Sequence, residues 1–260
     1  MTTTELCTSF VESSFSTCPW LQAPPGQDDW HDNLVSEAVF WYDHLAQSQY
    51  WYRDFIASWQ AQEPSFPYRD FKFGRLLEAW PKGQLLEALD VGCGPVTAFG
   101  TAWRGRHVRL TRADQLAAVY AKILRHLRLD STALTAVPVE AEKLDRVFQP
   151  ESFHLVHARN ALDYAHDPEQ AIGQMLQVCK PGGAVVLHHC QNEADFCGYT
   201  GLRRWNFDVQ DGYAVLRNKT SHLFLDAIFP EAAVECRLFD GPEAKPRVWV
   251  EVVLRKACST

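Results

Sequence analysis

The sequence predicts an α/β protein built on a parallel sheet covered on both faces, preceded by a helical N-terminal segment. Three observations carry this. From Leu85 onward, short β-like runs alternate with helix-like runs joined by short links. Before that point the apolar residues recur at helical spacing. After His189 the alternation gives way to a hairpin and a pair of strands separated by a turn-rich link, as expected for an antiparallel end to the sheet.

Residues up to Asn33 are polar, include the stretch APPGQDD, and are expected to form a loosely ordered lead-in (1–33). In a cap segment (34–80), Leu34, Ala38, Trp41, Leu45, Tyr52, Phe55 and Trp59 mark one or two amphipathic helices, with a break at Ser48. Phe40, Trp41, Tyr42, Tyr50, Trp51 and Tyr52 exceed what one core-facing stripe needs, so the segment either packs on the main domain or also covers a ligand. The main domain (81–257) has expected strands at Leu85–Val91, Val108–Ala113, Leu134–Val139, Phe153–Ala158 and Gly183–His189. Expected helices lie near Thr97–Trp103, Leu116–Leu127, Ala141–Phe148 and Pro168–Cys179. Asp167 as N-cap and Pro168 at the first helical position punctuate the last of these, and KPGG ends it. Asp211-Gly212 is a hairpin turn between two alternating runs, SHLFLDAIF reads as a helix, and AAVECRLF and RVWVEVVLRK read as the closing strand pair. Residues 190–230 form an insertion expected to wall a pocket.

The chain has 260 residues, 47% hydrophobic, and a net charge of −7 from 25 Lys+Arg against 32 Asp+Glu. That balance argues against a surface that tracks nucleic-acid phosphates. No basic leader precedes Arg53 and no apolar run reaches the ~18 residues of a membrane span, so a cytoplasmic protein without membrane contact is expected. The eight cysteines form no CxxC pair and read as reduced thiols. His189, Cys190, Glu193 and Cys197 are metal-ligand types, but their spacing matches no zinc pattern, so no metal is expected.

In an open α/β sheet, ligands bind beyond the carboxyl ends of the strands, where glycines admit a close backbone approach. Gly92 and Gly94 stand at that edge of the first strand, directly after Asp90. Asp114 closes the second strand and Glu140 the third, which puts three acids at one end of three consecutive strands. A dinucleotide fingerprint fits poorly, because Thr97 replaces its last glycine and Pro95 removes a backbone donor.

The motifs LDVGCGP, RAD, VEAEKL, FHLVHARNALDYAHDP and VCKPGGAVVLHH resemble, in order, those of the class I S-adenosylmethionine-dependent methyltransferases. The likeness spans Leu85 to His189, and the closing strand pair extends it. It implies a Rossmann-like, doubly wound, seven-stranded sheet with the last strand antiparallel. It also implies S-adenosyl-L-methionine as cofactor, with Asp90, Gly92 and Gly94 on its methionine part, Asp114 on its ribose, and Glu140 and Ala141 flanking its adenine. Two positions depart from the family: Val96 replaces a third glycine, and Val139-Glu140 replaces Gly-Asp.

Methyl transfer needs chiefly alignment and exclusion of water, and a base only where the acceptor must lose a proton. After the fourth strand stand Asn160, Asp163, Tyr164 and His166, and after the fifth stand His188, His189, Asn192 and Glu193. Adjacent strand residues face opposite ways, and His189, nearer the strand end, is the expected base or substrate partner. Asn160 and Asp163 complete the expected catalytic group, with Asn160 also facing the cofactor. Tyr164, His166, Asn192, Glu193, Arg203 and Trp205 form the expected acceptor-binding set, and Arg203-Arg204 beside Tyr199 and Trp205 suits an anionic or sugar-like acceptor. The expected activity is therefore methyl transfer to oxygen or nitrogen of a small polar molecule. The competing readings are a nicotinamide-dependent oxidoreductase and a non-catalytic module that binds the same cofactor. Nucleic acid is an unexpected partner, since no Asn/Asp-Pro-Pro-aromatic signature follows the fourth strand.

Overall fold

A computed structural model describes residues 3–16, 18, 21, 29–47, 76, 78–97, 102–103, 106–129, 135–240 and 247–258. Its centre is a mixed sheet whose strands lie in the spatial order β4 (Val137–Pro138), β3 (Arg106–Asp114), β1 (Leu85–Val91), β5 (Phe153–Arg159), β6 (Cys179–Cys190), β11 (Val248–Lys256) and β10 (Ala232–Asp240). Within these seven strands β11 alone runs opposite to the rest, pairing antiparallel with both β6 and β10. This is the expected doubly wound sheet. An eighth strand of two residues, β2 (Ala102–Trp103), hairpins onto the start of β3.

The middle strands β1, β5 and β6 are largely buried on both faces because helices and loops cover both sides. One side carries α4 (Pro168–Val178), whose N-cap Asp167 accepts from the Gln170 amide at 2.9 Å. Its buried Ala171, Ile172, Met175 and Leu176 meet Leu89, Val156 and Leu187 of the sheet. The other side carries α3 (Ala117–His126), which packs with α1 (Thr3–Phe15) and α2 (Trp30–Ala46) in a separate apolar cluster.

Several boundaries differ from the sequence reading. Part of the expected loose lead-in is helical: Cys7, Val11, Ser14 and Phe15 of α1 are buried at helical spacing, a stripe diluted in the sequence by Ser and Thr. The cap's first helix is α2; the second expected run, with Tyr50, Trp51, Tyr52, Phe55 and Trp59, lies outside the described residues, as does APPGQD. The helix expected near Thr97–Trp103 is contradicted at its end, where Ala102 and Trp103 pair with Arg106 and His107. Fourteen residues separate β1 from β3, and the hairpin uses part of that length. Ala141–Arg146 is a 3-10 helix broken at Lys143 rather than an α-helix. KPGG belongs to β6, where the register slips between Phe153 and Leu155. SHLFLDAIF divides into strand β9 (His222–Phe224) and the single turn α5 (Leu225–Ile228).

The insertion folds as a three-stranded antiparallel sheet of β7 (Asn206–Gln210), β8 (Tyr213–Arg217) and β9. Asp211 (φ 51°) and Gly212 (φ 87°) make the expected tight turn. Phe207, Ala214 and Leu216 join the main core, so the insertion is fixed to the domain.

Candidate active site

Gly92 and Gly94 both take left-handed backbone (φ 64° and 63°) at the carboxyl end of β1, which glycine adopts without steric cost. A Cβ on Gly92 would stand 2.3 Å from the Cβ of Ala161, so this glycine lets the chain after β5 close against the turn. The Gly92 and Cys93 amides donate to the Ala113 carbonyl (2.8 and 3.2 Å) and the Gly94 amide donates to Asp114 Oδ2 (2.9 Å). All three turn amides are thus directed at the end of β3. Asp114 Oδ1 accepts from the Leu116 amide at 2.7 Å. Burial pushes the Asp114 carboxyl up to about 6 despite these two bonds. Each of its oxygens keeps a further lone pair, as holding a sugar hydroxyl requires. Asp90 is buried between Thr97, 2.5 Å from Oδ2, and His157, 2.9 Å from Oδ1. Glu140 precedes the 3-10 helix and pairs with Lys143 at 2.5 Å, with Ala141 beside it and half-buried.

The histidines divide as strand alternation requires. His188 turns to Glu251, and His189 turns to Asp163, Nδ1 to Oδ1 at 3.3 Å. The His189 ring stacks on Phe207 with centroids 3.9 Å apart and planes 9° from parallel. It is 1% exposed, and its Nε2 has no hydrogen-bond partner among the described residues. Asp163 is held in turn by its carbonyl, which accepts from the amides of Arg204 and Trp205. Asn160 stands beside this pair in left-handed backbone (φ 45°), its side chain accepting from the Cys190 amide at 3.0 Å. It thereby ties the ends of β5 and β6 together.

Two members of the expected acceptor-binding set turn elsewhere. Asn192 Oδ1 accepts from Arg217 at 2.8 Å, and Glu193 accepts from Arg203 (3.3 Å) and Arg247 (3.0 Å). Their partners are long cations brought in by the loop before β7 (Asn206–Gln210), by β8 and by the segment before β11, which makes both residues braces of the insertion. Tyr164 lies under the Arg203 guanidinium, and burial pushes its hydroxyl pKa well up. His166 and Trp205 line a depression of about 430 Å³ together with Tyr199, Arg203, Arg204 and Lys219. The His166 ring lies tilted against Trp30, centroids 3.7 Å apart, and burial lowers its pKa, with Arg204 adding to the effect.

The structure adds two groups from α2. A Cβ on Gly94 would touch the Trp41 ring at 3.3 Å, so Trp41 lies on the glycine turn. Glu37, one helical turn earlier, accepts from Trp41 Nε1 at 2.9 Å. Its carboxyl is half-buried in the crevice, where burial pushes it up to about 7, with Arg203, Asp114 and Asp163 in electrostatic reach. The i, i+4 spacing of Glu37 and Trp41 was the available signal, and it was obscured by the surrounding aromatics.

Residues 89–187 match the family described as "Methyltransferase domain". This stretch, 99 of the 260 residues, is thus similar to a methyltransferase domain. It covers the glycine turn, Asp114, Glu140 and Asp163, and stops two residues before His189. No curated protein matches the chain. Among solved structures, the CurJ carbon methyltransferase aligns with 97% of this chain and 67% of its own, at 13% identity and TM-score 0.50, which supports the methyltransferase fold. Two further structures align at lower scores. The Burkholderia thailandensis 1,6-didemethyltoxoflavin-N1-methyltransferase shares 14% identity over 91% of this chain and 93% of its own, TM-score 0.47. The Haemonchus contortus phosphoethanolamine N-methyltransferase 2 shares 15% identity over 83% of this chain, TM-score 0.48, and this chain spans 60% of its length. Among the described residues, no cluster of three or more His, Cys, Asp or Glu could hold a metal ion, and no helix is long and apolar enough to cross a membrane.

Proposed function

We propose that the methyltransferase domain uses S-adenosyl-L-methionine to methylate oxygen or nitrogen of a small polar, anionic metabolite, with His189 as general base. The observation that carries the reading is the His189–Asp163 pair. Donation from Nδ1 to the carboxylate leaves Nε2 as a buried lone pair, oriented by Asp163 on one side and by the Phe207 ring on its face. The left-handed Gly92 and Gly94, with Asp90, Asp114, Glu140 and Ala141 around the same strand ends, fit the methionine, ribose and adenine parts of the cofactor. When bound, the cofactor supplies a methyl group on a sulfonium. His189 Nε2 takes the proton that the acceptor loses, and Asp163 stabilises the resulting imidazolium. Asn160 holds the two strand ends in register. Trp41 and Glu37 close the crevice from above and exclude water.

The depression lined by His166, Arg203, Arg204, Trp205 and Lys219 supports an anionic acceptor, since its cations outnumber the carboxylates that face it. The test is a metabolite-extract assay with methyl-labelled S-adenosylmethionine, followed by mass identification of the labelled product. In His189→Gln, binding of S-adenosylhomocysteine is expected to stay within about twofold while turnover falls by about 10²–10⁴. Undiminished turnover would remove His189 from the mechanism.

A further inference from the structure

Residues four apart share a helix face, and on α2 that face carries Glu37 and Trp41 toward the glycine turn. Trp41 lies against Gly94, and its Nε1 donates to Glu37 Oε1 at 2.9 Å, which fixes where the carboxyl sits. Among the described residues no donor meets the other oxygen, Oε2. A carboxylate offers about four lone-pair sites, so one indole N–H leaves Glu37 short of donors. Burial already pushes this carboxyl up to about 7, and a polar group withdrawn from water is stable only with partners in place. As a brace for Trp41 alone, Glu37 would have no use for an ionisable group.

The surroundings show which partner fits. Three elements bring charge to Glu37: Asp114 from the end of β3, Asp163 from the turn after β5, and Arg203 from the loop before β7. Tyr164 of the same turn and Tyr120 of α3 also lie in its electrostatic reach, and the Tyr120 ring meets Trp41 edge-on, centroids 6.5 Å apart. Among these described residues, three carboxyl groups share one guanidinium, and Arg203 is shared further with Glu193 at 3.3 Å. This inner end of the crevice favours a group that brings positive charge or N–H donors. The outer end has the opposite sign. Arg203 also lines the depression of about 430 Å³, with Arg204, Lys219 and His166 set against Asp29. Its guanidinium lies over Tyr164, 5.4 Å from the ring centre, so it stands where the two ends join. A molecule complementary to both ends carries an amine at one end and an anion at the other.

We propose that Glu37 is an acceptor-binding residue that selects an amine: its Oε2 accepts from the acceptor nitrogen, while Arg203, with Arg204 and Lys219 behind it, takes an anionic group on the same molecule. The inference rests on the methyltransferase reading above and narrows it, from oxygen or nitrogen to nitrogen, and from an anionic acceptor to one that is both amine and anion. Because Asp163 orients His189, an amine held between Glu37 and Asp163 stands on the base's side of the crevice.

Calorimetric titration of protein saturated with S-adenosylhomocysteine tests this. The probes are ω-amino acids and ω-aminoalkyl phosphates of graded chain length, each beside its ω-hydroxy counterpart. At least one amine is expected to bind about tenfold or more tighter than its counterpart. In Glu37→Gln the amide oxygen still accepts from Trp41, so S-adenosylhomocysteine affinity should stay within about twofold, while the preference for amine falls to about twofold or less. Arg203→Met should weaken amine and hydroxy probes alike. In the extract assay the labelled methyl is expected on nitrogen. The proposal is overturned by a methyl on oxygen, by a series without amine preference, by a preference that survives Glu37→Gln, or by loss of S-adenosylhomocysteine binding in that variant. Wild type that binds S-adenosylhomocysteine without preferring amines defeats this inference alone, whereas wild type that does not bind it defeats the methyltransferase reading as well.

Discussion

The contact between Gly92 and Ala161 makes Gly92→Ala the sharpest perturbation of the crevice. The added Cβ meets the Ala161 Cβ at 2.3 Å, over 1 Å inside normal contact, in a backbone conformation (φ 64°) that disfavours any side chain. The left-handed conformation costs about 1–2 kcal/mol for an L-residue. Relief of the overlap forces Ala161 and the adjoining turn away from β1 at a further cost of about 1–3 kcal/mol. Asn160, itself left-handed and tied to the Cys190 amide, leaves that turn little freedom to yield. The sum, about 2–5 kcal/mol, corresponds to a loss of roughly 4–20 °C in Tm for a chain of this size. Ala161→Gly in the Gly92→Ala background removes the overlap and leaves the backbone strain, so it should recover about half of the loss. The four proteins of this cycle are compared by thermal melts and by S-adenosylhomocysteine affinity. A Gly92→Ala protein as stable as wild type, or a second substitution with no rescue, would refute the argument that this close approach shapes the site.

Other outcomes follow from the same geometry. Asp114 has its folded pKa raised to about 6 from an ordinary value near 4, so the unfolded chain gives up this proton first as pH rises; wild type should lose up to about 3 kcal/mol relative to Asp114→Asn between pH 4 and 6, read from denaturant melts. Parallel stability curves for the two proteins would contradict that. Glu193→Ala leaves the Arg203 and Arg247 guanidiniums without this carboxylate; since both are about a third or more exposed, the cost should be about 1–2 kcal/mol rather than that of a fully buried pair. Lys219→Ala, in the cationic depression over Tyr199, should raise the acceptor KM with kcat retained, and steady-state kinetics at two salt concentrations would show it.

What the sequence disclosed depended on whether each signal was local. β1 begins and ends where its apolar run does, and Asp211-Gly212 turns where two alternating runs meet, because both features are written in adjacent residues. Helix α1 was hidden: four buried positions among threonines and serines look polar on average, and the stripe becomes visible only once α3 is there to receive it. The pairing of His189 with Asp163 was accessible through strand alternation and chain order. The engagement of Asn192 and Glu193 was not, since their partners Arg217 and Arg247 lie 25 and 54 residues away along the chain. The chain of buried contacts from Asp90 through His157 and His188 to Glu251 was equally unreadable, for His157 and Glu251 sit inside runs that otherwise spell ordinary buried strands.

The packing of α1 and α2 on α3 bears on any attempt to shorten the chain at its front. Val119, Tyr120, Ile123 and Leu124 of α3 are sealed by Cys7, Val11, Leu34 and their neighbours. Deleting the first 47 residues would bare that greasy strip, at about 1.5–3 kcal/mol for each large side chain returned to water. The truncated protein should therefore self-associate, and its insolubility would say nothing about whether the rest of the fold is intact.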